Sequence, residues 1–398
     1  MPIAMSGHQA GFWHAGIGAK WIAAHELGRR ARGACAWLVV DQDDNKGGSL
    51  AYPRADLSRG VVRFTEHADG VPTGCLPAAD TSRVAVPGDA HAVAEPGVRR
   101  AIDLMRTHAG APSLAAQLAR AAAAVVEKVA PGMIIVTASD IARTSAMERL
   151  VAMMERDPLA CARAYNAAAA QVPAAHVQAL GITASRVELP LWRVRPGAAR
   201  ERVFAAAGGT IDRAGLMPRA LLVTALARLF ACDLFIHGLG GGVYDVVTDA
   251  WLAAWLGPEG VRGAAPAGVV SATRYLEFPD AALVSPRQAE RAAWVAHRAR
   301  HDPALLGDEK SAAQKRDLAH RIARAGGRER GALFLKMHAL LKDVRERSAA
   351  EIAALDDKAE RVKAAAALSR GAFDRTWPLV LFGREQLAEL DASVRGAL

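Results

Sequence analysis

The sequence predicts an α/β fold: a Rossmann-like, mostly parallel sheet flanked by helices, with a C-terminal helical coiled-coil or hairpin appendage. Three observations lead there. A short strand at 2–5, a glycine turn at 6–11, a helix over 15–32 and a continuous apolar run at 34–41 form a βαβ unit, whose second strand is buried on both faces. A second apolar strand, 234–237, again runs into glycines, 238–242, and then a helix over 244–256. Beyond residue 285 strand signals vanish except at 378–382, and apolar positions follow helical steps.

Between these landmarks, Pro and Gly turns make 49–90 irregular apart from a strand at 61–65. Helices are expected at 92–108 and 113–129, then a strand at 133–137. Ser139 or Asp140 can cap a helix running to Arg156, and 159–172 is helical again. Strands at 189–194 and 202–206 flank the turn at Pro196-Gly197, and Pro218 opens a helix through Ala231. Alternation predicts a strand over 268–278. Leu341, Val344, Ser348, Ile352, Leu355, Ala359, Val362 and Ala366 form a heptad-like seam, equally suited to a helical hairpin or an intermolecular coiled coil.

A chain of 398 residues exceeds one small core, so two domains are expected, 1–284 and 285–398. Much of the apolar share is alanine, which favours helix but buries little area. The net charge of +9 favours anionic partners. No basic run carries interleaved aromatics, so a small anionic substrate is expected rather than nucleic acid. Cys35, Cys75, Cys161 and Cys232 form no C-x-x-C pair, which argues against a zinc site or disulfide framework and fits a reducing cytoplasm. No signal peptide is expected from the first residues. The most apolar stretch, 220–242, is broken by Arg228, Asp233 and His237, so no membrane span is expected.

Three segments carry candidate chemistry. In the first turn, Gly7, Gly11 and Gly16 could admit close ligand approach, His8, Gln9 and His14 could donate to phosphate or carboxylate oxygens, and Lys20 could add a point charge at a helix N-terminus. The competing interpretation is a tight turn whose histidines cap the helix. Asp41, Asp43 and Asp44 end the second strand, where carboxylates could hold a ribose hydroxyl, an ammonium or Mg2+, or form a solvated loop. At the third segment, Gly240, Gly241 and Gly242 could form an anion-binding concavity beside Tyr244 and Asp245. His237 is the candidate acid or base there, with His14 as its counterpart in the first turn. Asp245 and Asp249, four apart, share one helix face. The alternative is a strained turn with a buried histidine. No metal-ligand spacing, nucleophile elbow or nucleotide fingerprint is present.

In order, these segments resemble the cysteine-adding ligases of bacillithiol synthesis (the BshC family). Gly7-His8-Gln9-Ala10-Gly11-Phe12 stands where that family has G-Q-Q-P-G-L, and Asp41-Gln42-Asp43-Asp44-Asn45 where it has E-D-H-D, without the histidine. Gly240-Gly241-Gly242-Val243-Tyr244 is similar to its G-G-P-G-E-x-x-Y, without the proline or glutamate. The resemblance implies a Rossmann-like core related to nucleotidyltransferases, a C-terminal coiled coil, dimerisation, and a reaction joining an amine or thiol amino acid to a small acceptor. The altered residues do not carry over the cysteine and glucosaminyl-malate specificity. A small-molecule ligase or transferase is therefore expected, binding an anionic or nucleotide-like ligand; no cofactor is fixed by the residues, a nucleotide with Mg2+ being the candidate. The alternative is a non-catalytic ligand-binding or scaffolding protein that dimerises through its C-terminal helices.

Overall fold

The computed structural model describes residues 1–45, 47–66, 69–206, 210–279 and 282–398. In chain order its first part holds β1 (Ile3–Gln9), α1 (Ala15–Arg30), β2 (Ala34–Val40), β3 (Ser49–Pro53), β4 (Arg59–Arg63), α2 (Glu95–Thr107), α3 (Leu114–Val126) and β5 (Ile134–Thr137). Next come α4 (Ala138–Ala142), α5 (Ser145–Arg156), α6 (Pro158–Gln171), β6 (Arg186–Arg193), β7 (Glu201–Ala206), β8 (Leu216–Pro218), α7 (Ala220–Leu226), β9 (Leu234–His237), α8 (Leu239–Arg262) and β10 (Ala267–Val269). The chain ends with α9 (Pro286–Ala299), α10 (Glu309–Arg324), α11 (Gly327–Arg347), α12 (Ala349–Leu368) and α13 (Arg384–Ala397).

Five strands form the central sheet in the order β10-β9-β1-β2-β5, with every pairing parallel. From β1 the chain steps one way, to β2 and β5, then returns to β9 on the other side of β1 and steps outward to β10. The crevice between β1 and β9 is therefore the point where strand order reverses, the position at which open α/β sheets bind ligands. This is an α/β fold with a mostly parallel sheet, helices around it and a C-terminal helix-rich region. A three-stranded antiparallel sheet, β7-β6-β8, and the hairpin β3-β4 are added to it.

The chain divides into two compact units. The first comprises 1–55, 59–276 and 375–398, and the second 56–58 and 277–374. Residues 375–398, expected in the C-terminal region, belong to the first unit. Leu379 N–H bonds the Trp13 carbonyl at 2.6 Å, and the buried Glu26 carboxylate of α1 accepts from Arg29, Arg30 and Arg395, tying α13 to α1. In the second unit the seam is not one helix. It breaks at Ser348, leaving Leu341 and Val344 on α11 and the rest on α12, which packs on α9.

Several elements depart from expectation for local reasons. β1 runs to Gln9, so Ser6, Gly7, His8 and Gln9 are strand and not turn. Ser6 can enter a buried strand because its hydroxyl donates to the Ile236 carbonyl at 2.6 Å. Thr137, not Ser139 or Asp140, caps α4, with Asp140 closing the reciprocal box, and Thr144 then caps α5, so one expected helix is two. The strand expected over 268–278 shrinks to β10. Its alternation reflects the buried Leu276 and Phe278 on irregular backbone.

Candidate functional site at the sheet's switch point

The last paired rung between β1 and β9 is Ser6–Ile236, and one residue further stand Gly7 and His237. The two predicted segments therefore meet at one rim, 230 residues apart in sequence between Ser6 and Ile236. Gly7 is required by packing: a Cβ there would lie 2.5 Å from the Leu38 carbonyl oxygen. It serves the β1–β2 contact and does not open the backbone to a ligand.

Lys20 reaches from α1 back to this rim. Its Nζ donates to the Gly7 carbonyl at 2.5 Å and lies 5.4 Å from the centre of the Trp37 ring. Its stem passes beside Gly238, where a Cβ would stand 3.7 Å from Lys20 Cδ. Lys20 is 5% exposed, and among the described residues no carboxylate pairs with it. Burial pulls its ammonium down to about 8. An ammonium has three donors, and one acceptor is in place. His8 is drawn down to about 3, first by burial and then by the Lys20 charge, so its imidazole is neutral at physiological pH.

Beside Lys20, α8 starts without a side-chain cap. Gly238 is its extended N-cap, and Gly242 N–H closes the first turn on the Gly238 carbonyl at 3.0 Å. The glycines expected as a turn, Gly240, Gly241 and Gly242, are thus the first turn of the helix. A Cβ at Gly241 would meet His237 Nδ1 at 2.6 Å, one at Gly242 would meet Val269 at 2.6 Å, and Gly240 faces open space. Tyr244, in the next turn, is 39% exposed. An uncapped helix start offers backbone N–H groups and a positive dipole end to an anion.

His237 is buried at the end of β9, with Nε2 3.4 Å from Asp245 Oδ2. Asp245 is also buried and pairs with Arg228 at 2.9 Å, while Arg228 bonds Asp249 at 2.7 Å and the Ala265 carbonyl at 2.7 Å. Burial works against the Arg228 charge, but Asp245 and Asp249 outweigh it and raise its pKa. The face shared by Asp245 and Asp249 therefore holds a buried arginine. Asp245 faces the histidine at 3.4 Å without hydrogen-bonding it, and Arg228 is its charge partner. Arg228 was announced in sequence only as a charge inside an apolar helix.

The remaining candidates are engaged within the chain. His14 caps α1, its Nδ1 accepting from Gly16 N–H at 3.0 Å, which is the capping alternative. A Cβ at Gly16 would meet the His14 ring at 2.9 Å and the Ala272 carbonyl at 3.1 Å, so the segment after β10 lies over this turn. Gly11 is spatially free, with only Gly47 at 3.8 Å. Asp41 accepts from Ser139 N–H and hydroxyl at 3.0 and 2.5 Å, and burial raises its pKa in spite of those bonds. Gln9 donates to Asp43 at 3.1 Å, and Arg200 bonds Asp43 and Asp44 at 2.7 and 2.6 Å. For Asp43 burial acts upward, yet the Gln9 and Arg200 bonds prevail and lower its pKa. Arg200 thus bridges Asp43 and Asp44, and it stacks 4.6 Å from the Trp192 ring. No sequence signal singled out Arg200, which lies in a loop more than 150 residues from its partners. Among the described residues no group of three His, Cys, Asp or Glu side chains could hold a metal ion.

The rim can therefore do two things chemically. Lys20 and the start of α8 can hold an anionic group, and His237, backed by Asp245, can hold or move a proton beside it. The crevice is closed here, with Lys20, His237 and Asp245 all buried. Larger grooves lie elsewhere, one of about 410 Å3 along α2 and one of about 490 Å3 between α10 and α11. Among the described residues no helix is long and apolar enough to cross a membrane. Comparison with known proteins finds no matching family model and no matching curated protein.

Proposed function

We propose that this chain is a small-molecule ligase or transferase that seats an anionic, nucleotide-like ligand in the crevice between β1 and β9. The observation that carries this reading is Lys20, a buried ammonium with one acceptor and no carboxylate, beside the uncapped start of α8 at the switch point. An isolated buried charge is costly, and an oxyanion at this rim would supply both its counter-charge and its missing acceptors. His237, beside Asp245, is the proton-transfer group. His14 acts through the geometry of α1, and Asp41 and Asp43 act through α4 and Arg200.

The reading agrees in outline with the bacillithiol-ligase resemblance, whose glycine segments fall on this rim. The residues present suit a phosphate better than a protein-held Mg2+, because Asp41, Asp43 and Asp44 are already paired. The four cysteines are free, in keeping with the cytoplasm as the proposed compartment. Dimerisation belongs to the same proposal. Trp294, Phe334 and Leu335 of the second unit are 57%, 47% and 73% exposed, and a molar mass of one chain by light scattering would dismiss it.

The test is a calorimetric titration of the full chain with a panel of nucleotides, with and without Mg2+, against Lys20→Met. Binding by the wild type that falls at least tenfold in the variant supports the reading. No binding at millimolar ligand, or equal binding by both proteins, rejects it.

A further inference from the structure

A second feature of the first unit stands apart from the switch point. α3 ends where the chain turns toward the start of β5, on the side of the sheet opposite the crevice. A groove of about 300 Å3 there is lined by Arg100, Val125, Lys128, Val129, Arg384 and Leu387. Three cations from three segments converge on it, and no carboxylate lines it. Among the described residues, Lys128 and Arg384 make no hydrogen bond or ion pair, and Arg100 makes one long bond, to the Ala124 carbonyl at 3.4 Å. Burial lowers the pKa of Arg100, and the neighbouring Arg384 charge lowers it further.

Position sharpens the point. Lys128 follows the C-terminus of α3, where a cation is ordinarily welcome. Arg384 is the first residue of α13, where the positive helix end opposes it and Arg100 repels it. Nearby, Arg395 meets Glu26 and Asp391, and Arg99 meets Glu95. Arginines in this unit thus find carboxylates where the fold provides them. Two unpaired cations facing a third over an apolar floor of Val125 and Leu387 match the anionic end and the body of one ligand.

We propose that this groove is a second ligand site, binding a small phosphorylated molecule through Arg100, Lys128 and Arg384. The proposal does not depend on the switch-point reading. Pyrophosphate is the probe, titrated calorimetrically into the full chain, Lys20→Met, the double variant Lys128→Ala/Arg384→Ala, and Arg384→Lys. Both residues of the double variant are exposed, and an unchanged melting profile verifies its fold. At least a tenfold loss of affinity for one site in the double variant, with Arg384→Lys close to wild type, supports the groove. This holds whether Lys20→Met removes a second site or changes nothing, and the latter result bears only on the crevice. Pyrophosphate binding unaffected by the double variant overturns the proposal. So does retention of duplex DNA without pyrophosphate binding, which would make the groove part of a polyanion surface.

Discussion

Replacing Lys20 by Met should make the ligand-free protein more stable at neutral pH. Burial lowers the ammonium from 10.5 to about 8. At about 1.36 kcal/mol per pH unit, keeping that charge in the folded state costs roughly 3 kcal/mol. Below pH 8 both folded and unfolded chains carry the proton, and the whole cost is present. Between pH 8 and 10.5 the unfolded chain binds the proton more tightly, so wild-type stability rises with pH; above 10.5 both states are neutral and the cost is gone. Methionine removes the charge and forgoes the bond to the Gly7 carbonyl, worth about 1 kcal/mol. The expected gain is about 2 kcal/mol at pH 7, or roughly 2–3 °C in Tm. Urea unfolding followed by tryptophan fluorescence is the assay, since Trp13, Trp21 and Trp37 cluster beside Lys20. The gain should shrink from pH 8 upward, pass through zero near pH 10 and become a loss approaching about 1 kcal/mol above 10.5, where only the missing bond to the Gly7 carbonyl remains. A variant less stable than wild type at pH 7, or a gain that persists at pH 10.5, would refute the account of Lys20 as an uncompensated charge.

Glu26→Gln should cost about 1.5 kcal/mol by weakening the charge-assisted bonds from Arg29, Arg30 and Arg395, whose guanidinium groups keep access to water. Hydrogen bonds from Arg29 and Arg30 hold the Glu26 carboxyl down at about 2, so its stabilisation is full above the unfolded value of 4.5 and lost as pH falls from there toward 2. Acid-unfolding curves of the variant should lack that loss. Gly7→Ala should destabilise by about 2 kcal/mol through the clash with the Leu38 carbonyl, and an unchanged urea midpoint would contradict it. Asp245→Ala should cost about 3 kcal/mol by leaving the buried Arg228 with Asp249 alone. Pairing it with Arg228→Met should recover most of that loss in a double-mutant cycle, and strict additivity would deny the ion pair.

The elements legible in the sequence were those whose signal is apolar and continuous. Residues 34–40 are buried strand as the unbroken apolar run requires, and 234–237 likewise. What escaped was decided by partners distant in sequence. Ser6, Gly7, His8 and Gln9 look like a polar turn, yet they extend β1, because Ile236, Leu38 and Asp43 satisfy or pack against them. The glycines at 240–242 look like a loop, yet they begin α8, and two of them are glycine because His237 and Val269 occupy the space that side chains at Gly241 and Gly242 would need. Lys20 was legible as a charge near a helix start, but not as buried. The Arg200 and Arg228 pairings had no local signal at all.

Counter-charge distinguishes Lys20 from its neighbours around the sheet. Asp43 and Asp44 have Arg200, Asp245 and Asp249 have Arg228, and Glu188 has Arg219 at 2.5 Å. In each of these groups every carboxylate has an arginine within ion-pair distance. Lys20 has a carbonyl and an aromatic ring, which orient an ammonium without neutralising it. An apolar side chain would fill the same space at lower cost, and the proposed anionic ligand is what would offset the charge. Under the proposed function, an anion at the β1–β9 crevice would meet this ammonium beside Gly238, the uncapped start of α8, so one ligand would answer to both.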